Sequence, residues 1–147
     1  MGKIEITKKV LGICATNCYT VVDTETKEAL IIDPADRADV LIRDWKDKGV
    51  TPTTVLLTHG HFDHIGALAG VKKEYPEIRV YAAAEEKEVM ESPALNLSSS
   101  FGAAFTAQAD IYLEDSAEIE VLGRKCKCLL VPGHTKGGMC YYFPEES

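Results

Sequence analysis

The chain has little histidine, no long apolar segment and no excess of positive charge. No apolar run approaches the ~20 residues that a membrane-spanning helix needs. The net charge of −7 argues against a large nucleic-acid surface, which would require a basic face. The N-terminal stretch MGKIEITKKVLG contains charges and no long apolar core, unlike a secretory signal peptide. We therefore expect a cytoplasmic protein with a small-molecule substrate, and no nucleic-acid or membrane partner.

The cysteines also exclude a disulfide framework or a zinc knuckle. Their number, five, is odd, and without a signal peptide it indicates reduced thiols. Cys14 and Cys18 are four positions apart and Cys126 and Cys128 two apart, so neither pair has the C-x-x-C spacing of structural zinc sites. We expect the cysteines to be small buried side chains. The length of 147 residues fits one domain, residues 1–147, with its own core.

Apolar periodicity and turn residues predict alternating strands and helices. The predicted strands are 19–22 and 29–32 as a hairpin, 53–57, 78–82, then 119–122 and 125–131 joined by a Gly123-Arg124 turn, and 139–143. The predicted helices are 38–49 with Gly49 as its stop, 65–75 ended by Pro76, and 84–91, with a loop over 92–104. The acidic run EEKE at 85–88 is typical of a solvated helix face.

Three of the four histidines and one aspartate lie within six consecutive positions directly after a predicted strand. His59 and His61 are separated only by Gly60. Residues i and i+2 of an extended backbone point to one side, so both imidazoles can reach one ion. His134 lies in a similar glycine-flanked loop and could supply a third nitrogen. Three protein ligands and a water are typical of catalytic zinc, so we predict a metal site here.

Asp63 and His64 follow as the chain turns into the next predicted helix. They would face the same cavity, which suits a second ion beside the first. Simpler interpretations remain for single residues: a lone loop histidine such as His134 is usually solvent-exposed, and Asp63 alone could be a helix N-cap. Asp63 could instead orient a ligand or accept a proton.

The segment THGHFDHIG resembles the H-x-H-x-D-H signature of the metallo-β-lactamase fold superfamily. TNCYTVVD at 16–23 and ALIIDPA at 29–35 resemble the family's opening hairpin and Asp-Pro turn, although Ala35 stands where the family more often has glycine. LVPGHTKGGMCYYF resembles its P-G-H-T-x-G loop and strand. With LNLSSSFG, the chain is most similar to short glyoxalase II-like, or hydroxyacylglutathione hydrolase-like, enzymes. The resemblance covers nearly the whole chain and implies an α/β (α+β) fold, the αββα sandwich.

Carried over by position, the resemblance assigns His59, His61 and His134 to the first metal site and Asp63 and His64 to the second. It implies one or two Zn²⁺ ions, with iron or manganese as alternatives. A metal-bound hydroxide would attack a thioester such as S-lactoylglutathione, with Asp63 as the catalytic residue that orients it or takes its proton. Lys136 is a candidate for binding an anionic group of the substrate, or else a solvated lysine.

The family pattern continues beyond the last residue of this sequence. A metal-bridging aspartate and a final histidine of the family have no counterpart before Ser147. We therefore expect a C-terminally truncated sandwich with an incomplete second half and at most one tightly bound ion. The strand 139–143 would then be an apolar edge, which favours self-association. Two alternatives to the hydrolase stay open: an iron-dependent persulfide dioxygenase, and a non-catalytic metal-binding or assembly module.

Overall fold

The computed structural model describes residues 3–11, 16–58, 60, 62–96, 98, 106–130 and 139–143, with only the backbone of Phe62 and Asp63. The strands are β1 (Ile4–Leu11), β2 (Thr16–Asp23), β3 (Glu28–Ile32), β4 (Thr51–Leu56), β5 (Arg79–Ala83), β6 (Ile111–Leu113), β7 (Ala117–Val121), β8 (Arg124–Leu130) and β9 (Met139–Tyr142). The helices are α1 (Ala38–Asp47), α2 (Phe62–Ile65), α3 (Leu68–Glu74) and α4 (Lys87–Glu91), with a 3-10 turn at Ala84–Glu86.

Two sheets form the centre of the molecule. The larger sheet has six strands in the order β1-β2-β3-β4-β5-β6. Its first three strands are antiparallel, whereas β3 to β6 are parallel. The smaller sheet is an antiparallel β7-β8-β9 meander. Parallel strands need crossover connections, and α1 supplies one between β3 and β4.

Strands β3 and β4 are buried on both faces because each face lies against a different layer. Along β3, Ile31 packs into the core shared with the helices, and Leu30 packs into the core between the sheets. Val55 and Leu56 alternate in the same way on β4. The described chain is therefore layered as helices, large sheet and small sheet. This arrangement agrees with the predicted sandwich and its incomplete second half.

Helix α1 shows how the sequence builds the helical layer. Its apolar face places Leu41 and Trp45 in the core. The Trp45 indole Nε1 donates a hydrogen bond to Thr20 Oγ1 at 3.1 Å, and its ring lies edge-on to Tyr75 with centroids 6.0 Å apart. Gly49 follows the helix with a φ of +67°, a left-handed conformation that glycine adopts without strain. The predicted helix and its glycine stop are confirmed.

Most predicted elements are confirmed, but some bounds and connections differ. The predicted 65–75 helix is two short helices, α2 and α3, and the predicted 84–91 helix begins with the 3-10 turn. The 119–131 hairpin is present, but Leu122 and Gly123 are its turn residues, both with positive φ, and Arg124 already starts β8. Strands β1 and β6 were not predicted. The predicted 92–104 loop lies partly outside the described residues.

Two predictions about side-chain exposure and the alternative interpretation of Asp63 as an N-cap are wrong. Glu86 is only 1% exposed, so the acidic run at 85–88 is not wholly solvated. Cys140 is exposed, whereas Cys18, Cys126 and Cys128 are buried as expected and Cys14 lies outside the described residues. The backbone of Asp63 lies inside α2, after its first residue, and not at its N-cap.

No helix in the described part of the chain is long and apolar enough to cross a bilayer.

Candidate metal site

The described part of the predicted site lies where two neighbouring parallel strands end. Asp33 follows the last residue of β3, and Thr58 follows β4 by two residues. Because β3 and β4 are parallel and paired, their carboxyl ends meet at one edge of the sheet. In α/β sheets, ligands bind at this edge. The H-x-H-x-D-H segment begins here, one residue after Thr58.

The Asp33 carboxylate is a buried hydrogen-bond acceptor at the centre of this edge. Its Oδ1 accepts the Thr58 backbone N–H at 2.8 Å. Its Oδ2 accepts the Thr58 hydroxyl and lies 2.8 Å from His64 Nδ1. Asp33 has a φ of +53°, a left-handed conformation in which aspartate is one of the few tolerated residues. Both carboxylate oxygens are thus used to join β3, β4 and α2.

The contact with Asp33 defines how the His64 imidazole can act. An ionised carboxylate only accepts hydrogen bonds, so Nδ1 of His64 must be the protonated nitrogen that donates. In the neutral ring, Nε2 then carries the lone pair that suits a metal ion. A carboxylate that orients a ligating histidine in this way is a recurring feature of protein metal sites. The His64 side chain is 19% exposed, as a ligand facing a cavity would be.

Neighbouring groups hold Asp33 and α2 in place. The Asp33 N–H donates to the Leu56 carbonyl at 3.3 Å, and the Ala67 N–H donates to the Pro34 carbonyl at 2.9 Å. Cys18 packs behind the site, and burial together with the Asp33 charge raises the pKa of its thiol to about 12. The Cys18 side chain is only 1% exposed and belongs to the core shared with the helices. Cys18 is therefore a packing residue here.

The small sheet also reaches the site edge. The Met139 N–H donates to the Thr58 carbonyl at 2.9 Å, and the Tyr141 hydroxyl donates to the Leu57 carbonyl at 2.6 Å. Burial raises the pKa of Tyr141 well above its usual value, so the hydroxyl keeps the proton it donates. Residues 131–138, which include His134, connect β8 to β9. Met139, the first residue after that connection, is thus hydrogen-bonded to Thr58, the residue that precedes His59.

The described residues contain only part of the predicted site. His59, His61, His134 and Lys136 lie outside them, and the side chain of Asp63 is not described. Within the described residues no three His, Cys, Asp or Glu side chains group as a metal site. The assignment of His59, His61, His134, Asp63 and Lys136 to the site therefore stays a prediction. The donor set itself, imidazoles with one carboxylate and a histidine oriented by Asp33, fits zinc or iron.

Asp33 is a site residue that the sequence alone did not reveal. The sequence resembles the family's Asp-Pro turn at this position, directly after a predicted strand, and the resemblance to that turn carries no role for the carboxylate. The signal that could have identified Asp33 is its position as a polar residue directly after a buried strand. The neighbouring strand leads into the histidine cluster. Its partners are 25 and 31 residues away, beyond the reach of local pattern analysis.

Comparison with known proteins gives the chain its relatives. Residues 11–147 match the model of the metallo-beta-lactamase superfamily. A probable metallo-hydrolase, YqgX of Bacillus subtilis (strain 168), is 35% identical over 92% of this chain and 64% of its own length. A hydroxyacylglutathione hydrolase of Synechococcus sp. (strain ATCC 27144 / PCC 6301 / SAUG 1402/1) is 30% identical over 86% of this chain and 43% of its own length. The chain thus spans about half the length of these relatives.

Solved structures show the same fold. The BLEG-1 B3 metallo-beta-lactamase superposes with a TM-score of 0.88 at 36% identity, over 97% of this chain and 68% of the neighbour. TTHA1623 in a di-iron-bound form superposes with a TM-score of 0.77 at 29% identity, over 95% of this chain and 67% of the neighbour. The family model matches this chain from residue 11 to residue 147. This chain belongs to the metallo-beta-lactamase superfamily.

Proposed function

We propose that this chain carries the metal centre of a hydrolase that cleaves a thioester such as S-lactoylglutathione. The observation that carries the proposal is the 2.8 Å contact between His64 Nδ1 and Asp33 Oδ2. It orients the last imidazole of the H-x-H-x-D-H segment, at the sheet edge where such sites form. Superfamily membership and the hydroxyacylglutathione hydrolase relative support the reaction class.

Five residues would hold metal in this proposal. The first ion would be bound by His59, His61 and His134, and Asp63 with His64 would take part in a second site. The hydrogen bond from Met139 to Thr58 supports this assignment, because it joins the chain following residues 131–138 to the residue preceding His59. We expect this chain to bind one ion tightly, since only two predicted ligands remain for a second.

A bound Zn²⁺ lowers the pKa of water to about 7 and stabilises negative charge on a carbonyl oxygen. The residues of this chain would do the rest of the work. Asp63 would orient the attacking water and accept its proton. Asp33 would keep His64 in one tautomer, and Lys136 would attract an anionic group of the substrate. A thioester suits this donor set because its thiolate leaves without first being protonated.

Iron is the alternative metal, and with it oxidation of a glutathione persulfide is the alternative reaction. Imidazole and carboxylate ligands accept both metals, and the di-iron-bound neighbour TTHA1623 supports iron as the metal. A non-catalytic metal-binding module is the remaining alternative. Hydrolysis of β-lactams would be a further outcome, given the similarity to BLEG-1.

The test is metal analysis followed by activity assays on the same preparation. The chain is purified without added metal, its metal content is measured, and thioester, persulfide and β-lactam substrates are assayed in parallel. We expect one equivalent of metal and turnover of the thioester, lost in a folded His59→Ala variant. Metal without any turnover would support the binding module. Turnover of persulfide with bound iron would support the dioxygenase, and a chain that binds no metal would contradict all three.

A further inference from the structure

Glu86 is a buried carboxylate beside the metal-site segment. It ends the 3-10 turn that follows β5, and it is 1% exposed although Glu85, Lys87 and Glu88 around it are exposed. Glutamate is almost never buried unless its charge has partners, because desolvating a carboxylate is costly. A buried glutamate within an otherwise solvated run therefore indicates that its side-chain oxygens have a partner in the interior.

The carboxylate reaches the backbone between two predicted metal ligands. Glu86 Oε1 accepts the Gly60 N–H at 3.2 Å. Gly60 is the single residue between His59 and His61, so the orientation of its peptide affects the direction of both neighbouring side chains. The Glu86 side chain can thus fix this peptide from the side of β5.

Packing holds the same backbone from a second direction. A Cβ at Gly60 would lie 2.8 Å from Met90 Cγ and 3.3 Å from Val89 Cγ1, so the glycine backbone is in close contact with α4. The Met90 carbonyl accepts hydrogen bonds from Ala107 N at 3.0 Å and from Asn96 Nδ2 at 3.3 Å. The 84–91 segment is therefore itself anchored, and it contacts Gly60 through both a hydrogen bond and its apolar side chains.

We propose that Glu86 is a positioning residue for the metal centre, acting through the Gly60 peptide on His59 and His61. The inference rests on the proposed metal site. The inference depends on a side chain at position 86 that is long enough for its acceptor oxygen to reach the Gly60 N–H. A shorter acid at this position would keep the charge but withdraw its oxygens beyond hydrogen-bonding distance.

The experiment compares Glu86→Gln with Glu86→Asp in the full chain. Glutamine keeps the reach and loses the charge, whereas aspartate keeps the charge and loses the reach. Each metal-free variant is first checked for folding by thermal unfolding. Zinc affinity is then measured against a chromophoric chelator, and the visible absorption of the Co²⁺-loaded protein reports ligand geometry. Glu88→Gln, an exposed position of the same segment, is the matched control.

We expect Glu86→Gln and the control to stay within about threefold of wild-type affinity with an unchanged cobalt spectrum. Glu86→Asp should lose about tenfold or more in affinity, as is typical for residues that orient ligands, and its cobalt bands should shift. Equal affinities and equal spectra for the two Glu86 variants, whether both high or both low, would overturn the inference. A wild-type chain that binds neither metal would instead defeat the proposed metal site itself.

Discussion

Two buried aspartates at opposite ends of the large sheet show what distinguishes a structural carboxylate from one in a site. Asp23 is 2% exposed and Asp33 is 4% exposed. Each carboxylate lies 2.8 Å from one side-chain nitrogen, Arg124 Nη1 for Asp23 and His64 Nδ1 for Asp33. Since β2 and β3 are antiparallel, Asp23 lies at the β2–β3 hairpin and Asp33 at the other end of β3.

The difference lies in the partner. The Arg124 guanidinium is always charged and has only donors, so it has no lone pair that could bind a metal ion. The bond to Asp23 ties the small sheet to the large one, and Nη1 also donates to the Leu122 carbonyl at 3.0 Å within the β7–β8 hairpin. An imidazole that gives one nitrogen to Asp33 still has another nitrogen with ligand chemistry. Burial of a carboxylate therefore does not by itself identify a site.

The largest effect is expected from Asp33→Asn. Asparagine has nearly the same shape and tolerates left-handed φ, but its amide can present N–H groups to His64 Nδ1. The imidazole would then shift its proton to Nε2, and we expect metal affinity to fall by about 10- to 100-fold. Chelator competition measures the change, with Asp23→Asn as the matched control. An unchanged affinity in folded Asp33→Asn would contradict the proposed role of His64.

The second prediction concerns the other aspartate. Arg124→Met would leave the Asp23 carboxylate buried without its cation, which is strongly destabilising. We expect the melting temperature to fall by about 10 °C, with zinc affinity unchanged below the transition. Thermal unfolding followed by circular dichroism checks the first part. A loss of metal affinity equal to that of Asp33→Asn would show that the two ends of the sheet are not functionally separate.

A pH series sharpens the comparison with a smaller effect. The hydrogen bond from Arg124 lowers the pKa of Asp23 from 3.8 to about 2. Because the folded-state pKa lies below the unfolded one, the pair stabilises the fold above about pH 4 and loses this contribution as pH falls towards 2. The difference in melting temperature between wild type and Asp23→Asn should therefore shrink over this range. A constant difference in melting temperature would show that the pKa of Asp23 is the same in the folded and unfolded states.

The smallest effect on the stability of the fold is expected from a substitution in β9. Of the described strands, only β8 pairs with β9, and Tyr142 is 45% exposed. Beside it an apolar cleft of about 270 Å³ lies between the sheets, with Ile6, Leu122 and Phe143 among its lining. We propose that copies of this chain associate through the 139–143 edge. Tyr142→Lys should shift sedimentation towards monomer at unchanged metal affinity, and a monomeric wild type at high concentration would contradict the proposal.

Local pattern was enough to predict the elements with strong periodicity and clear stops. Helix α1 has its apolar face and Gly49, and β3 and β4 contain the short apolar runs 29–32 and 55–56. Strand β1 was not predicted because, of its eight residues, only Leu11 is buried. It is ordered by pairing with β2 along its whole length. The three-residue β6 has too little sequence for a period to appear.

Charged residues whose partners are remote in sequence could not be predicted. Arg124 was assigned to a turn, yet its partner Asp23 is 101 positions away. Glu86 was assigned to a solvated face, yet it binds the Gly60 peptide. Composition indicates that such residues are usually exposed, and only the fold shows the exceptions. The histidine cluster was different, because its members are adjacent and its spacing carries the chemistry.

The hydrogen bonds from β9 to Leu57 and Thr58 have a consequence for how the protein is made. These two carbonyls, at the end of β4, receive their donors from Met139 and Tyr141. During synthesis the histidine cluster is made about eighty residues before those donors. A nascent chain that has passed the cluster therefore lacks both bonds at this edge of the large sheet until residues 139–141 have been added.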